Sequence, residues 1–159
     1  MKIKNIAKLV FAIIICQLAG VIGSISTSSS VQTWYTELTL PSIAPPGWFI
    51  GTVWIILYTL MGISLYLVWN KGLRNKRVKE AVSIFFVQLA LNSVWSILFF
   101  GLQSPFLAFI EIIILWIMIL FTILKFYRIS KNASLLLIPY IAWVSFALVL
   151  NFSIWWLNL

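Results

Sequence analysis

All 11 Lys and Arg residues fall in three short stretches, and the apolar runs that these stretches set apart are about twenty residues long, the length that crosses a bilayer. That pattern leaves few folds open. Hydrocarbon offers no hydrogen bonds, so a segment that crosses it must close its own backbone groups, and runs of this kind do so as helices. The expected spans are residues 6–25, 48–69, 81–100, 105–126 and 133–156, which makes the chain an all-α integral membrane protein, a bundle of five transmembrane helices. Residues 1–159 read as a single membrane domain with no soluble domain left over.

Composition agrees: 63% of the residues are hydrophobic and only 9% are charged, too little polar surface to cover a soluble globule. A formal charge of +8 in a soluble chain would suggest nucleic acid, but here the bases sit between apolar runs, where topology needs them, and no nucleic-acid partner is expected. Three bases (Lys2, Lys4, Lys8) precede the first run, five (Lys71, Arg74, Lys76, Arg77, Lys79) separate the second from the third, and three (Lys125, Arg128, Lys131) separate the fourth from the fifth. The other two connections have none. The expected orientation is therefore N terminus in the cytoplasm and C terminus outside, in what reads as a bacterial cell membrane. The first run also resembles a signal peptide, but Leu9 to Ile25 is long for one, and Gln17, Gly20 and Ser24 share a helical face as in a packed helix. A retained first span is the favoured reading.

Much conventional catalysis is disfavoured. The chain has one cysteine, Cys16, and no histidine, so there is no disulfide framework, no zinc-type ligand set and no Ser-His-Asp arrangement. No Walker or dinucleotide-binding glycine motif occurs either, and no metal site is expected. The chemistry left to the protein is that of aromatics, amides and hydroxyls.

Polar residues inside spans usually face a partner helix or a cavity. Gln88, Asn92 and Trp95 recur at helical spacing on the third span, with Phe99 continuing the face; Tyr140, Trp143, Ala147 and Asn151 do so on the fifth, and Trp54, Tyr58 and Met61 align on the second. Packing between helices accounts for such stripes as readily as a ligand does. Trp34, Trp69, Trp155 and Trp156 lie near the expected interfaces and suit an aromatic belt, whereas Trp54, Trp95 and Trp143 lie deeper, where a belt does not explain them. Glu111, inside the fourth span, reads as a protonated or hydrogen-bonded packing residue ahead of a proton relay. Pro139 is expected to kink the fifth span. Cys16, Gly20 and Ser24, or Ala19 and Gly23, form small-residue patterns suited equally to packing inside one chain and to a homodimer.

Three runs, PSIAPPGWFIGTVWIILYTLMGISLYLVW, LNSVWSILFFGLQSPFLAFIEIIILW and LLLIPYIAWVSFALVLNFSIWWLN, together resemble the TspO/MBR family of tryptophan-rich sensory and translocator proteins over essentially the whole chain. The resemblance implies a five-helix membrane bundle, often a homodimer, with a pocket capped by the first loop. It also implies porphyrin, haem or benzodiazepine-type ligands, none of them an obligatory cofactor, and in animals cholesterol. Carried over by position, the pocket comprises Tyr35, Trp54, Asn92, Trp143 and Ala147, with Pro45, Pro46 and Trp48 shaping a lid. The candidate ligand-binding set is thus Tyr35, Trp48, Trp54, Tyr58, Gln88, Asn92, Trp95, Tyr140, Trp143, Ala147 and Asn151. Sterol binding is disfavoured, because the C-terminal FSIWWLNL lacks the basic residue of the animal motif. Without histidine, haem would be held by packing or by another ligand such as Tyr35. Three functions follow: a tetrapyrrole-binding sensor or regulator, a light-dependent porphyrin-degrading enzyme in which Trp54 and Trp143 are the candidate catalytic residues, or a carrier of porphyrin or another planar hydrophobic molecule. Membrane lipid is a partner in every case.

Overall fold

Apolar runs this long close their backbone bonds internally, and the computed structural model, which describes residues 3–159, is helical with no strand among the described residues. The elements are α1 (Ile3–Ser30), a one-turn α2 (Trp34–Glu37), α3 (Gly47–Trp69), α4 (Lys76–Ser96), α5 (Pro105–Tyr127), α6 (Lys131–Leu136) and α7 (Ile138–Leu157). Five helical units, with α6 and α7 counted as one, are long and apolar enough to cross a membrane. At the helical rise, 23 residues of α3 extend about 35 Å, more than the hydrocarbon core requires. Lys2 lies outside the described residues.

Helix starts follow local chemistry. The side chains of Asn75, Ser104 and Ser130 accept from the backbone N–H of Arg77, Leu107 and Ala133 and so cap α4, α5 and α6. Pro105 occupies the first turn of α5, where its missing N–H costs nothing.

The helices depart from the expected spans in three places. Residues 26–30 are not part of the polar connection but the last turn of α1: the hydroxyls of Ser24, Thr27, Ser28 and Ser29 donate to carbonyls three or four residues back, which satisfies them inside the helix. The third span ends at Gly101, close to the expected residue 100, but its last turn, Ile97–Gly101, is π-helical and not α-helical, closed by the Leu102 N–H on the Ile97 carbonyl at 2.8 Å. The expected kink at Pro139 is a break two residues earlier: α6 ends at Leu136, Leu137 N–H bonds the Ser134 carbonyl, and Pro139 sits in the first turn of α7. A proline is tolerated at a helix start and not in its interior, so the chain begins a new helix ahead of it.

Packing is closest where residues are small. A Cβ added at Gly62 of α3 would lie 2.5 Å from the Ile13 Cα, and one added at Gly20 of α1 would lie 2.5 Å from the Tyr58 ring. Ala12, Cys16 and Ala19 are buried on the same side of α1, and Ser93 of α4 donates to the Ala19 carbonyl at 2.9 Å. Ala12, Cys16, Ala19 and Gly20 of α1 are thus packed within the chain. Phe85 stacks on Phe126 at 5.7 Å between α4 and α5, and Ser64 of α3 donates to the Ala133 carbonyl of α6 at 2.7 Å. At the basic end Lys125 pairs with Glu80, and Lys8 lies over the Trp69 ring at 5.9 Å.

Candidate functional site

Toward the other end the helices separate around a cavity of about 450 Å³. Helices α1, α3, α4 and α7 form its walls, α5 adds Ile112 and Leu115, and Tyr35 of α2 and Pro45 of the loop lie above. The size is that of sites that enclose a drug-sized molecule.

The floor is a hydrogen-bonded chain. Tyr58 donates its hydroxyl hydrogen to Asn92 Oδ1, Asn92 Nδ2 donates to the Tyr140 hydroxyl at 3.1 Å, and Tyr140 donates to Gln88 Oε1 at 2.8 Å. Each member orients the next, so the amide and phenol at the cavity surface are fixed from behind. Trp54 lies on this floor, stacked on Tyr58 at 5.3 Å and 28°.

A second layer surrounds Trp95. Its indole N–H donates to Asn151 Oδ1 at 3.0 Å, while Asn151 Nδ2 is held by the Pro105 carbonyl at 2.9 Å, tying α4, α5 and α7 together. The Trp95 ring stacks on Phe99 at 5.1 Å and 22°. The π-helical turn carries Phe99 and Phe100 under α2, where Trp34 meets Phe99 edge-on at 5.6 Å and Tyr35 lies 5.6 Å from Phe100. Ser30 locks the turn by donating to the Phe100 carbonyl at 2.7 Å. Across the cavity Trp143 lies against Phe146 and Phe49.

Of the residues singled out from sequence, Tyr35, Trp54, Tyr58, Asn92, Trp95, Trp143, Ala147 and Asn151 line the cavity together. Three do not. Trp48 is 73% exposed and turned edge-on to Phe49, because it lies on the outer side of α3's first turn. Gln88 and Tyr140 are buried behind the floor, where they support Asn92 without reaching the cavity. Pro45 lines the cavity, while Pro46 is the N-cap residue of α3. Trp34, read as a belt residue, packs on Phe99 instead.

Sequence reasoning missed the contribution of α1, which supplies Gln17, Gly20, Gly23 and Ser24 to the wall, and that of Phe100; Phe99 was placed on the stripe of the third span but not in the ligand-binding set. The signal for α1 was the polar and small-residue face containing Gln17, Gly20 and Ser24, read as packing alone. Nothing in the sequence marks the π-helical turn.

The donor set suits stacking and hydrogen bonding. The chain has no histidine, and among the described residues no three His, Cys, Asp or Glu side chains gather. Burial pushes the Tyr35 phenol above its ordinary value, which favours its neutral, hydrogen-bond-donating form.

Fold and site together define a polytopic α-helical membrane protein with an aromatic small-molecule cavity near one end of its bundle. Similarity gives the class a family: the profile of the TspO/MBR family matches residues 12–157, and the chain belongs to that family. Tryptophan-rich protein TspO of Archaeoglobus fulgidus is 49% identical over 155 residues, covering 97% of this chain and 99% of the relative. The protein of the same name from Chlorobaculum tepidum is 45% identical, with 98% of each chain covered. Protein CrtK of Rhodobacter capsulatus is 34% identical over 90% of this chain and 88% of its own.

Proposed function

We propose that the protein binds a porphyrin-class tetrapyrrole in this cavity and acts as a membrane sensor or regulator of such molecules. The observation that carries the reading is the wall itself: Trp54, Trp95 and Trp143 border one space whose floor offers the fixed phenol and amide of Tyr58 and Asn92. A planar macrocycle has large π faces for the indoles and a few polar edges for the floor. The cavity contains no acid-base pair, which favours binding and signalling over conventional turnover. Iron is not required, since the ring is held by its faces.

Quenching of tryptophan fluorescence by protoporphyrin in the detergent-solubilised protein tests the reading. Each stacking face contributes about 0.5–1.5 kcal/mol, so Trp54→Ala combined with Trp143→Ala should weaken binding roughly tenfold or more. Affinity equal to that of the unmodified protein would remove the site.

A further inference from the structure

The cavity meets its surroundings in two places, the loop above it and the seam between α1 and α3 at its side. The seam is zipped from the basic half, where Gly62 leaves no room for a Cβ against Ile13, to the middle of α3, where Gly20 leaves none against Tyr58. Further along α3 it opens. A Cβ added at Gly51 or at Gly47 would meet nothing within 4 Å. Gly47, Gly51 and Ile55, spaced four apart on α3, all line the cavity, and so do Val21 and Ser24 on α1. All five are also exposed, Ile55 at 62% and Val21 at 53%, more than a wall closed by a neighbouring helix would leave. Residues that line a cavity and are this exposed border an opening.

This opening lies along two spanning helices and so faces the bilayer. Its rim is apolar or self-satisfied, since the Ser24 hydroxyl donates to the Val21 carbonyl at 2.7 Å and makes no demand on water. Gln17 forms the sill: its Nε2 donates to the Ile55 carbonyl at 3.0 Å and to Thr59 Oγ1 at 3.1 Å where the helices converge. The loop is held differently. Thr39 N–H donates to Asn158 Oδ1 at 2.9 Å and Asn158 Nδ2 donates back to the Thr39 carbonyl at 3.0 Å, clamping the loop to the end of α7. Tyr35 is fastened beneath by its packing on Phe100.

We infer that a planar apolar ligand enters and leaves sideways from the lipid through the slot between α1 and α3, and that the proline-rich loop is a fixed roof and not a door. The inference rests on the cavity being the binding site proposed above. A lipid-soluble ligand is already concentrated in the bilayer, and the lateral slot spares it a passage through water. Specificity then begins at the rim, where a flat ring passes edge-first and a bulky one does not.

Stopped-flow fluorescence of protoporphyrin binding to the full chain in lipid nanodiscs tests this. Gly51→Phe places a ring in the slot where the structure has space for it, and Ser24→Phe does so from the α1 rim as an independent plug. Each should slow both association and release, about tenfold, whereas loss of a binding contact speeds release alone. Asn158→Ala frees the loop and should leave both rates as they are. Unaltered rates in both plugged variants, or faster exchange in Asn158→Ala, would overturn the slot. Absence of saturable binding to the unmodified protein would instead remove the binding site on which the slot depends.

Discussion

At the scale of single residues the least accommodated side chain is Glu111. It is 6% exposed inside α5, and neither carboxyl oxygen has a hydrogen-bond partner among the described residues. Its neighbours along the helix, Ala108, Ile112 and Leu115, are all buried and apolar. A polar group buried without a partner costs about 1–3 kcal/mol, so Glu111→Met, which keeps the length and drops the oxygens, should stabilise the protein by a similar amount. Thermal unfolding in detergent, followed by helical circular dichroism, would register this as a higher midpoint. A lowered midpoint would mean that the carboxyl has a partner of its own, the proton relay included. Sequence reasoning identified Glu111 as costly and read it as a protonated or hydrogen-bonded packing residue; among the described residues it has no hydrogen bond, which leaves the protonated packing residue. Chemistry alone singles out Trp54, Asn92 and Trp143, and all three line the cavity. Orientation was not legible: Trp48 and Trp54 differ by six positions on one helix, and of the two Trp54 lines the cavity while Trp48 is exposed.

At the scale of elements the informative contrast lies along α3, where glycines only a few turns apart have opposite surroundings. Gly62 is pressed on the Ile13 backbone, which cannot retreat without moving α1, so Gly62→Ala should destabilise by roughly 1–3 kcal/mol through overpacking. Gly51 faces open space, and Gly51→Ala should be neutral or stabilise by about 0.5–1 kcal/mol, because alanine loses less backbone entropy in a helix. Unfolding of the two variants in one detergent, side by side, checks the pair; similar midpoints for both would contradict a seam zipped at one end and open at the other. The existence of the helices was legible, since hydrophobic length decides it. Their ends were less so. The serine run from Ser26 to Ser30 reads as a loop because hydroxyls compete for the backbone, yet Thr27, Ser28 and Ser29 bond back within α1 and Ser30 reaches the Phe100 carbonyl, so the helix continues. The π-helical turn was illegible because one extra residue per turn leaves no mark in an apolar sequence, although it brings Phe99 and Phe100 to the cavity.

For the whole molecule, charge and cavity lie at opposite ends. The cavity takes the C-terminal halves of α1 and α4, α7 from Trp143 to Ile154, and the N-terminal halves of α3 and α5, which place it toward the loop end. The bases after α3 and after α5 lie at the other end, as do Lys8 over Trp69 and the Lys125–Glu80 pair. Bases are retained on the cytoplasmic side, so the cavity and its roof should lie in the outer half of the bilayer. Cys16 makes this testable: it is the sole cysteine and fully buried, so it gives little background to a thiol reagent. Ser42, in the loop, and Arg74, in the basic connection, are both exposed. In intact cells a membrane-impermeant maleimide should label Ser42→Cys and not Arg74→Cys, and permeabilised cells should yield both. The reverse pattern would turn the molecule over and open the cavity toward the cytoplasmic leaflet, so that a ligand entering through the α1–α3 slot would be drawn from the inner monolayer.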